Sequence, residues 1–153
     1  MPTDAPLTVP GVTPVDPTVF ASLDPPLLAG SRCPDCGTLS FPAARSCPRC
    51  MRSSVEPVEL PDRGTVWTWT VQGFPPKPPY VPPPGGFVPF PVGYVDLGGV
   101  LVEGRLVADP AGLEIGLPVH LVLEQVGEGP DGPVVTYAFA ADTPGTGTEE
   151  AGA

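Results

Sequence analysis

The sequence is poor in the groups on which most enzymes rely. Histidine occurs once, at His120, in an alternating stretch between Val119 and Leu121. A lone histidine there reads as a surface or satisfied residue and not as a catalytic base. No glycine-rich loop follows a strand-like run and opens a helix, so nucleotide hydrolysis and dinucleotide binding of the usual kind lack their phosphate cradle. Seven lysines and arginines face 17 acidic residues, for a formal net charge of -10. That sign is wrong for a broad grip on a nucleic-acid backbone. No apolar run approaches the roughly 20 residues of a membrane helix, and no charged-then-apolar leader opens the chain. A cytoplasmic protein with neither nucleic acid nor membrane as partner is expected.

What is abundant sets the fold class. The 153 residues include 26 prolines and 19 glycines, which break long helices and favour short strands and turns, while 41% hydrophobic residues provide for a core. The clearest strand is GTVWTWTVQ, Gly64 to Gln72. Its period of two places Thr65, Trp67, Trp69 and Val71 on one face and Val66, Thr68 and Thr70 on the other. Further strand-like runs span Val92 to Leu97, Val100 to Val107, Pro118 to Val126 and Val134 to Ala140, with turn signals at Gly98-Gly99 and Gly127 to Gly132. Five strands of this size fit a small Greek-key barrel of the OB type. The stretch from Ala108 to Gly116 is too short for the helix often found between its third and fourth strands.

All four cysteines fall in one segment, RCPDCGTLSFPAARSCPRCMR, as Cys33-x-x-Cys36 and Cys47-x-x-Cys50. Each two-residue gap lets a tight turn aim both sulfurs at one point, and Gly37 supplies permissive backbone after the first pair. Four thiolates then close a tetrahedron around a metal, a structural zinc ion, with no position open for catalysis. The same ligands suit a rubredoxin-like iron site. Four of the seven basic residues, Arg32, Arg45, Arg49 and Arg52, lie here beside a single acid, Asp35. They balance a metal-thiolate centre of negative charge, or hold a phosphorylated ligand or an acidic surface.

The remaining segments divide the chain. Residues 1-15 read as a flexible arm, and 16-30 as a short helix capped by Asp16-Pro17 or as an extended segment pinned by Phe20. The ribbon is expected over 31-56. Pro57 to Asp62 reads as a short link that opens the barrel region of 57-142, and 143-153 reads as a disordered tail. Between the first two barrel strands, residues 74-91 contain nine prolines interleaved with Phe74, Lys77, Tyr80, Phe87 and Phe90. Such a stiff loop is either a contact surface or a cap on the barrel end.

The order of parts resembles the zinc-ribbon and OB-fold acyl-CoA-associated proteins, filed as a domain of unknown function. The residues that carry the resemblance are Arg32 to Gly37, Phe41-Pro42, Cys47 to Cys50, Arg63 to Val71 and Ile115 to Val119. The segments Gln72 to Lys77 and Val92 to Leu97 are similar to an actinobacterial branch linked to steroid side-chain degradation. The resemblance implies a noncatalytic accessory subunit of a thiolase-superfamily partner, in that branch a lipid-transfer-protein-like homologue acting as a retro-aldolase on a steroid side-chain CoA thioester. It makes Arg45, Arg49 and Lys77 candidates for CoA phosphates, and Trp67, Trp69, Phe74 and Tyr80 candidates for partner or acyl-chain contact. The alternatives are an OB-fold module for single-stranded nucleic acid, with Trp67 and Trp69 stacking on bases, and an iron-bound redox carrier.

Overall fold

A computed structural model describes residues 11-78 and 80-142. Ten strands carry the fold: β1 (Thr13–Pro14), β2 (Phe20–Leu23), β3 (Pro26–Arg32), β4 (Leu39–Ser40), β5 (Glu56–Glu59), β6 (Arg63–Gln72), β7 (Phe90–Asp96), β8 (Leu101–Val107), β9 (Pro118–Gly129) and β10 (Gly132–Ala141). Strands β6, β7 and β8 form an antiparallel meander; β10 then joins β8 in parallel, and β9 pairs antiparallel with both β10 and β6. That closes five strands in the order first, second, third, fifth, fourth. This is the mainly β architecture of an OB barrel behind an N-terminal cysteine ribbon. The place of the missing helix is taken by one 3-10 turn, Pro110–Gly112, capped by the Asp109 carboxylate.

Local chemistry explains the connections. Between β7 and β8 the Asp96 carboxylate accepts from the amides of Gly98 and Gly99 at 2.8 and 3.1 Å, and both glycines have positive φ. The hairpin at this point follows directly. Between β9 and β10 only Pro130 and Asp131 remain outside the strands, so the turn is tighter than the Gly127 to Gly132 span expected from sequence.

The N-terminal third departs further from expectation. Asp16 does cap a helical turn, but the 3-10 turn ends at Val19 and the chain continues as β2 and β3, with Phe20 and Leu28 buried. Of the arm expected to be flexible, Thr13 and Pro14 pair in parallel with Val134 and Val135, and the Val15 amide donates to the Val135 carbonyl at 2.8 Å. Residues 1-10 of that arm, and the tail 143-153, lie outside the described residues. The link expected from Pro57 is the strand β5, which pairs with β3 along Ala29 to Arg32. The ribbon's sheet is therefore β2-β3-β4 with β5 on β3, wider than the cysteine segment itself.

Ribbon sheet and barrel share one core. Phe20, Leu23, Leu28 and Leu60 pack in the same buried cluster as Val66, Val95, Val102, Leu106, Val119 and Phe139. Tyr137 joins the two parts, with its ring edge-on to Phe20, Phe41 and Phe139 at centroid distances of 6.4, 5.7 and 6.1 Å.

Strand β6 corrects the period-two reading. Its pairing with β7 shifts between Val66 and Thr68, so Trp67 is an extra residue in a β-bulge. Past the bulge the alternation restarts in the opposite phase. Val66 and Trp69 both lie against the core, whereas Trp67 stands 54% exposed on the outer face. The two tryptophans expected to share a face are separated.

Candidate metal centre

The four cysteine sulfurs converge at one end of the ribbon. They all lie within 4.8 Å of one another, with Cys33–Cys50 at 3.6 Å and Cys36–Cys47 at 3.5 Å. A tetrahedron with metal-sulfur bonds of about 2.3 Å has edges of about 3.8 Å, so the cluster has the size such an ion requires.

Two matching turns build it. In the first, the Cys33 amide donates to the Thr38 carbonyl and the Gly37 amide to the Cys33 carbonyl, at 2.9 and 2.8 Å. In the second, the Cys47 amide donates to the Arg52 carbonyl and the Met51 amide to the Cys47 carbonyl, at 2.7 and 2.9 Å. Each turn needs a left-handed residue directly after its second cysteine: Gly37 at φ 78° and Met51 at φ 66°. Ser31, buried at the end of β3, accepts from the Ala44 amide at 2.9 Å and steadies the connector between the turns.

The surroundings favour thiolates unequally. The Thr38 hydroxyl, 3.1 Å from Cys36 Sγ, and the Thr38 amide draw the Cys36 thiol down to about 6. Amides of Cys50 and Arg49, 3.5 and 3.4 Å from Cys47 Sγ, hold that thiol below its ordinary value. At Cys50 the Arg52 amide pulls downward, but burial and the neighbouring thiols prevail and push it up to about 11. A dication would remove this asymmetry by holding all four as thiolates, and soft sulfur donors suit zinc. Cys33 and Cys47 are buried and Cys36 is exposed, so the centre sits at the surface on a fixed inner wall.

Of the other predicted residues, Arg49 lies in the second cysteine turn beside the metal centre, whereas Lys77 and the aromatics do not gather there. Arg49 borders an open depression of about 420 Å³ between the first cysteine turn and the β7–β8 hairpin, lined also by Cys36, Thr38, Leu39, Gly98 and Gly99. Lys77 lies in the proline-rich loop that enters the opposite end of β7, so the length of that strand separates it from Arg49. Arg45 is exposed on the ribbon and does not line the depression.

The loop aromatics divide in the same way. Tyr80, Phe87 and Phe90 pack on one another at centroid distances of 6.1 to 6.3 Å, with the Arg105 guanidinium 4.5 Å over the Phe90 ring. Phe74 remains 69% exposed. Part of the loop folds onto the barrel and part faces solvent. Residues not singled out from sequence include Thr38 and Tyr137, while Asp35, the ribbon's single acid, is clasped to Arg52 at 3.5 Å. A threonine two places after a ligand carries no signal until the turn is built.

Comparison with known proteins matches this arrangement part for part. The family model of the ChsH2 rubredoxin-like zinc ribbon domain covers residues 21–56, and that of the ChsH2 C-terminal OB-fold domain covers residues 57–124. A DUF35 domain-containing scaffold protein of Methanocaldococcus jannaschii is 32% identical over 120 residues, spanning 73% of this chain and 78% of the relative. The benzoylsuccinyl-CoA thiolase subunit BbsA of Thauera aromatica is 30% identical over 116 residues, spanning 74% and 76%. The solved structure of an Ltp2-ChsH2(DUF35) aldolase matches with a TM-score of 0.57 at 29% identity, over 75% of this chain and 84% of that one. The chain belongs to the ChsH2-type DUF35 family, whose members set a zinc ribbon ahead of an OB-fold domain.

Proposed function

We propose that the chain is a noncatalytic, zinc-stabilised accessory subunit that binds and supports a thiolase-superfamily enzyme acting on CoA thioesters. The observation that carries this reading is the composition of the metal centre. Among the described residues the one group of three or more metal-binding side chains is the four-cysteine cluster, and four thiolates saturate a tetrahedral ion. A saturated zinc ion folds the segment and offers no site to substrate. Its contribution is about 10–16 kcal/mol of apparent folding free energy in small zinc peptides. The relatives support the partner: one is a subunit of a thiolase acting on a CoA thioester, one a scaffold protein, and one part of an aldolase.

Within this reading the partner carries the chemistry, carbon-carbon cleavage of an acyl-CoA, with a steroid side chain as the acyl group. Arg49 beside its depression is the best placed of the three cations for a CoA phosphate, with Arg45 on the same ribbon. Lys77, at the far end of β7, would serve a different part of the ligand or the partner.

The test is a pull-down of the tagged full chain from its own cells under reducing conditions, with mass spectrometry and metal analysis of the same eluate. A stoichiometric thiolase-like protein and one zinc per chain are expected. Recovery of the chain alone carrying iron, or of nucleic-acid machinery, would refute the proposal.

A further inference from the structure

Strands β6, β7 and β8 turn one sheet face to the core and the other to solvent, and the solvent face carries an unusual set of side chains. Tyr94 and Glu103 are directly opposed, as are Asp96 and Leu101, while Val95 and Val102 between them point inward and are buried. Trp67 meets Tyr94 edge-on with centroids 6.5 Å apart. Trp67 is 54% exposed, Tyr94 41% and Leu101 38%. A tryptophan and a tyrosine held edge-on, with Leu101 diagonal to Tyr94 on the same face, form an apolar platform.

Two observations argue that this platform is an interface. The first is the bulge: uninterrupted alternation from buried Val66 would leave both tryptophans outside, and the extra residue instead turns Trp69 to the core while Trp67 stays on the outer face against Tyr94. Bulges are over-represented beside functional surfaces, and tryptophan and tyrosine are enriched at the energetic centres of protein interfaces. The second is charge. The cations at the margins are internally committed, Arg63 to Asp142 at 3.4 Å and Arg105 to Glu124 at 3.0 Å. Glu103, directly beside Tyr94, has no cationic partner among the described residues. The free charge of the platform is therefore negative, as is that of the whole chain.

We propose that the outer face of β6–β7–β8, centred on Trp67, Tyr94 and Leu101 with Glu103 at its rim, is the surface on which the thiolase-like partner is seated. The complementary patch on the partner is an apolar pocket rimmed by arginine or lysine. This assignment rests on the accessory-subunit reading for the identity of the occupant. It places the contact on the barrel wall and leaves the metal centre outside it. Desolvation of the aromatic pair supplies affinity, and Glu103 steers encounter through a charge that salt screens.

The experiment uses the full zinc-loaded chain and the purified thiolase-like protein recovered with it. Trp67→Ala is expected to weaken binding by at least about 30-fold, the loss typical of an interface hot spot. Glu103→Lys, a surface change that leaves the platform in place, is expected to slow association and to remove its decline with rising salt. Glu56→Gln, at an exposed position of β5 on the ribbon sheet, should bind as the wild type does. Equal binding by Trp67→Ala and wild type would overturn the assigned face while leaving the accessory role intact. A wild-type chain that binds no thiolase-like protein would overturn both. A change in self-association on Trp67→Ala, measured by sedimentation without the partner, would give the face to a second copy of this chain and overturn the proposal.

Discussion

Met51 occupies in the second cysteine turn the position that Gly37 occupies in the first, with the same left-handed backbone. An L-residue in that region costs about 1–2 kcal/mol, which glycine avoids at some cost in chain entropy. Met51 is 75% exposed, so its side chain gives little packing in return. Met51→Gly should therefore raise the stability of the zinc-loaded protein by about 1 kcal/mol, read from its thermal unfolding. Thr38 acts on the metal centre through protons. Its hydroxyl helps hold the Cys36 thiol at about 6, well below the ordinary thiol value. A depressed thiol stays a thiolate, and so a ligand, down to a lower pH. Without that hydroxyl, protons compete for the sulfur earlier as pH falls. Thr38→Val is expected to move the midpoint of acid-induced zinc release to higher pH, followed with a chromophoric chelator.

At the scale of elements, the bulge in β6 depends on its neighbour. Just past the bulge the Thr68 carbonyl lies over Gly93, and a Cβ at that position would run into the Thr68 oxygen. Gly93→Ala should destabilise the chain by about 1–3 kcal/mol, the range of an overpacked core, with the urea midpoint lowered and the slope unchanged. The five barrel strands were legible in the sequence because each alternates through a half-buried wall. The bulge was not, because two residues opposing one is a property of the pair of strands and not of either alone. Strands β2, β3 and β5 were illegible for a different reason. Proline is a poor strand former, yet Pro26 is the first residue of β3 and Pro57 lies in the short strand β5, positions where a missing amide is tolerated. The metal centre was the most legible feature, since two C-x-x-C pairs specify a tetrahedron before any fold exists. The cations were not: spacing along the chain gave no sign that the whole of β7 separates Lys77 from Arg49.

The whole molecule behaves as a ribbon and barrel joined through one core. Tyr137 is the joint: its ring touches both parts, and its hydroxyl donates to the Glu103 carbonyl at 2.7 Å. Tyr137→Phe removes that donor and should cost about 1 kcal/mol at neutral pH. Burial, and then the Glu103 charge, push the phenol up to about 12. A pKa raised in the folded state contributes stability below the ordinary tyrosine value that is lost as pH rises toward 12. Wild type and Tyr137→Phe are therefore expected to converge in stability between about pH 10 and 12, measured by urea unfolding across that range. Cys33→Ser opens the metal centre from its buried side. Because Phe20, Leu28 and Leu60 belong to the same core as the barrel, the loss should reach beyond the ribbon, with zinc lost and the barrel's unfolding midpoint lowered in the same sample.

The most direct measurement of the central claim is CoA-thioester turnover by the separated thiolase-like partner, assayed alone, with the zinc-loaded chain, and with the Cys33→Ser chain. Turnover is predicted only for the partner together with the zinc-loaded chain, and none for the chain by itself. Turnover by this chain alone, or a partner whose rate is indifferent to its presence, would contradict the account.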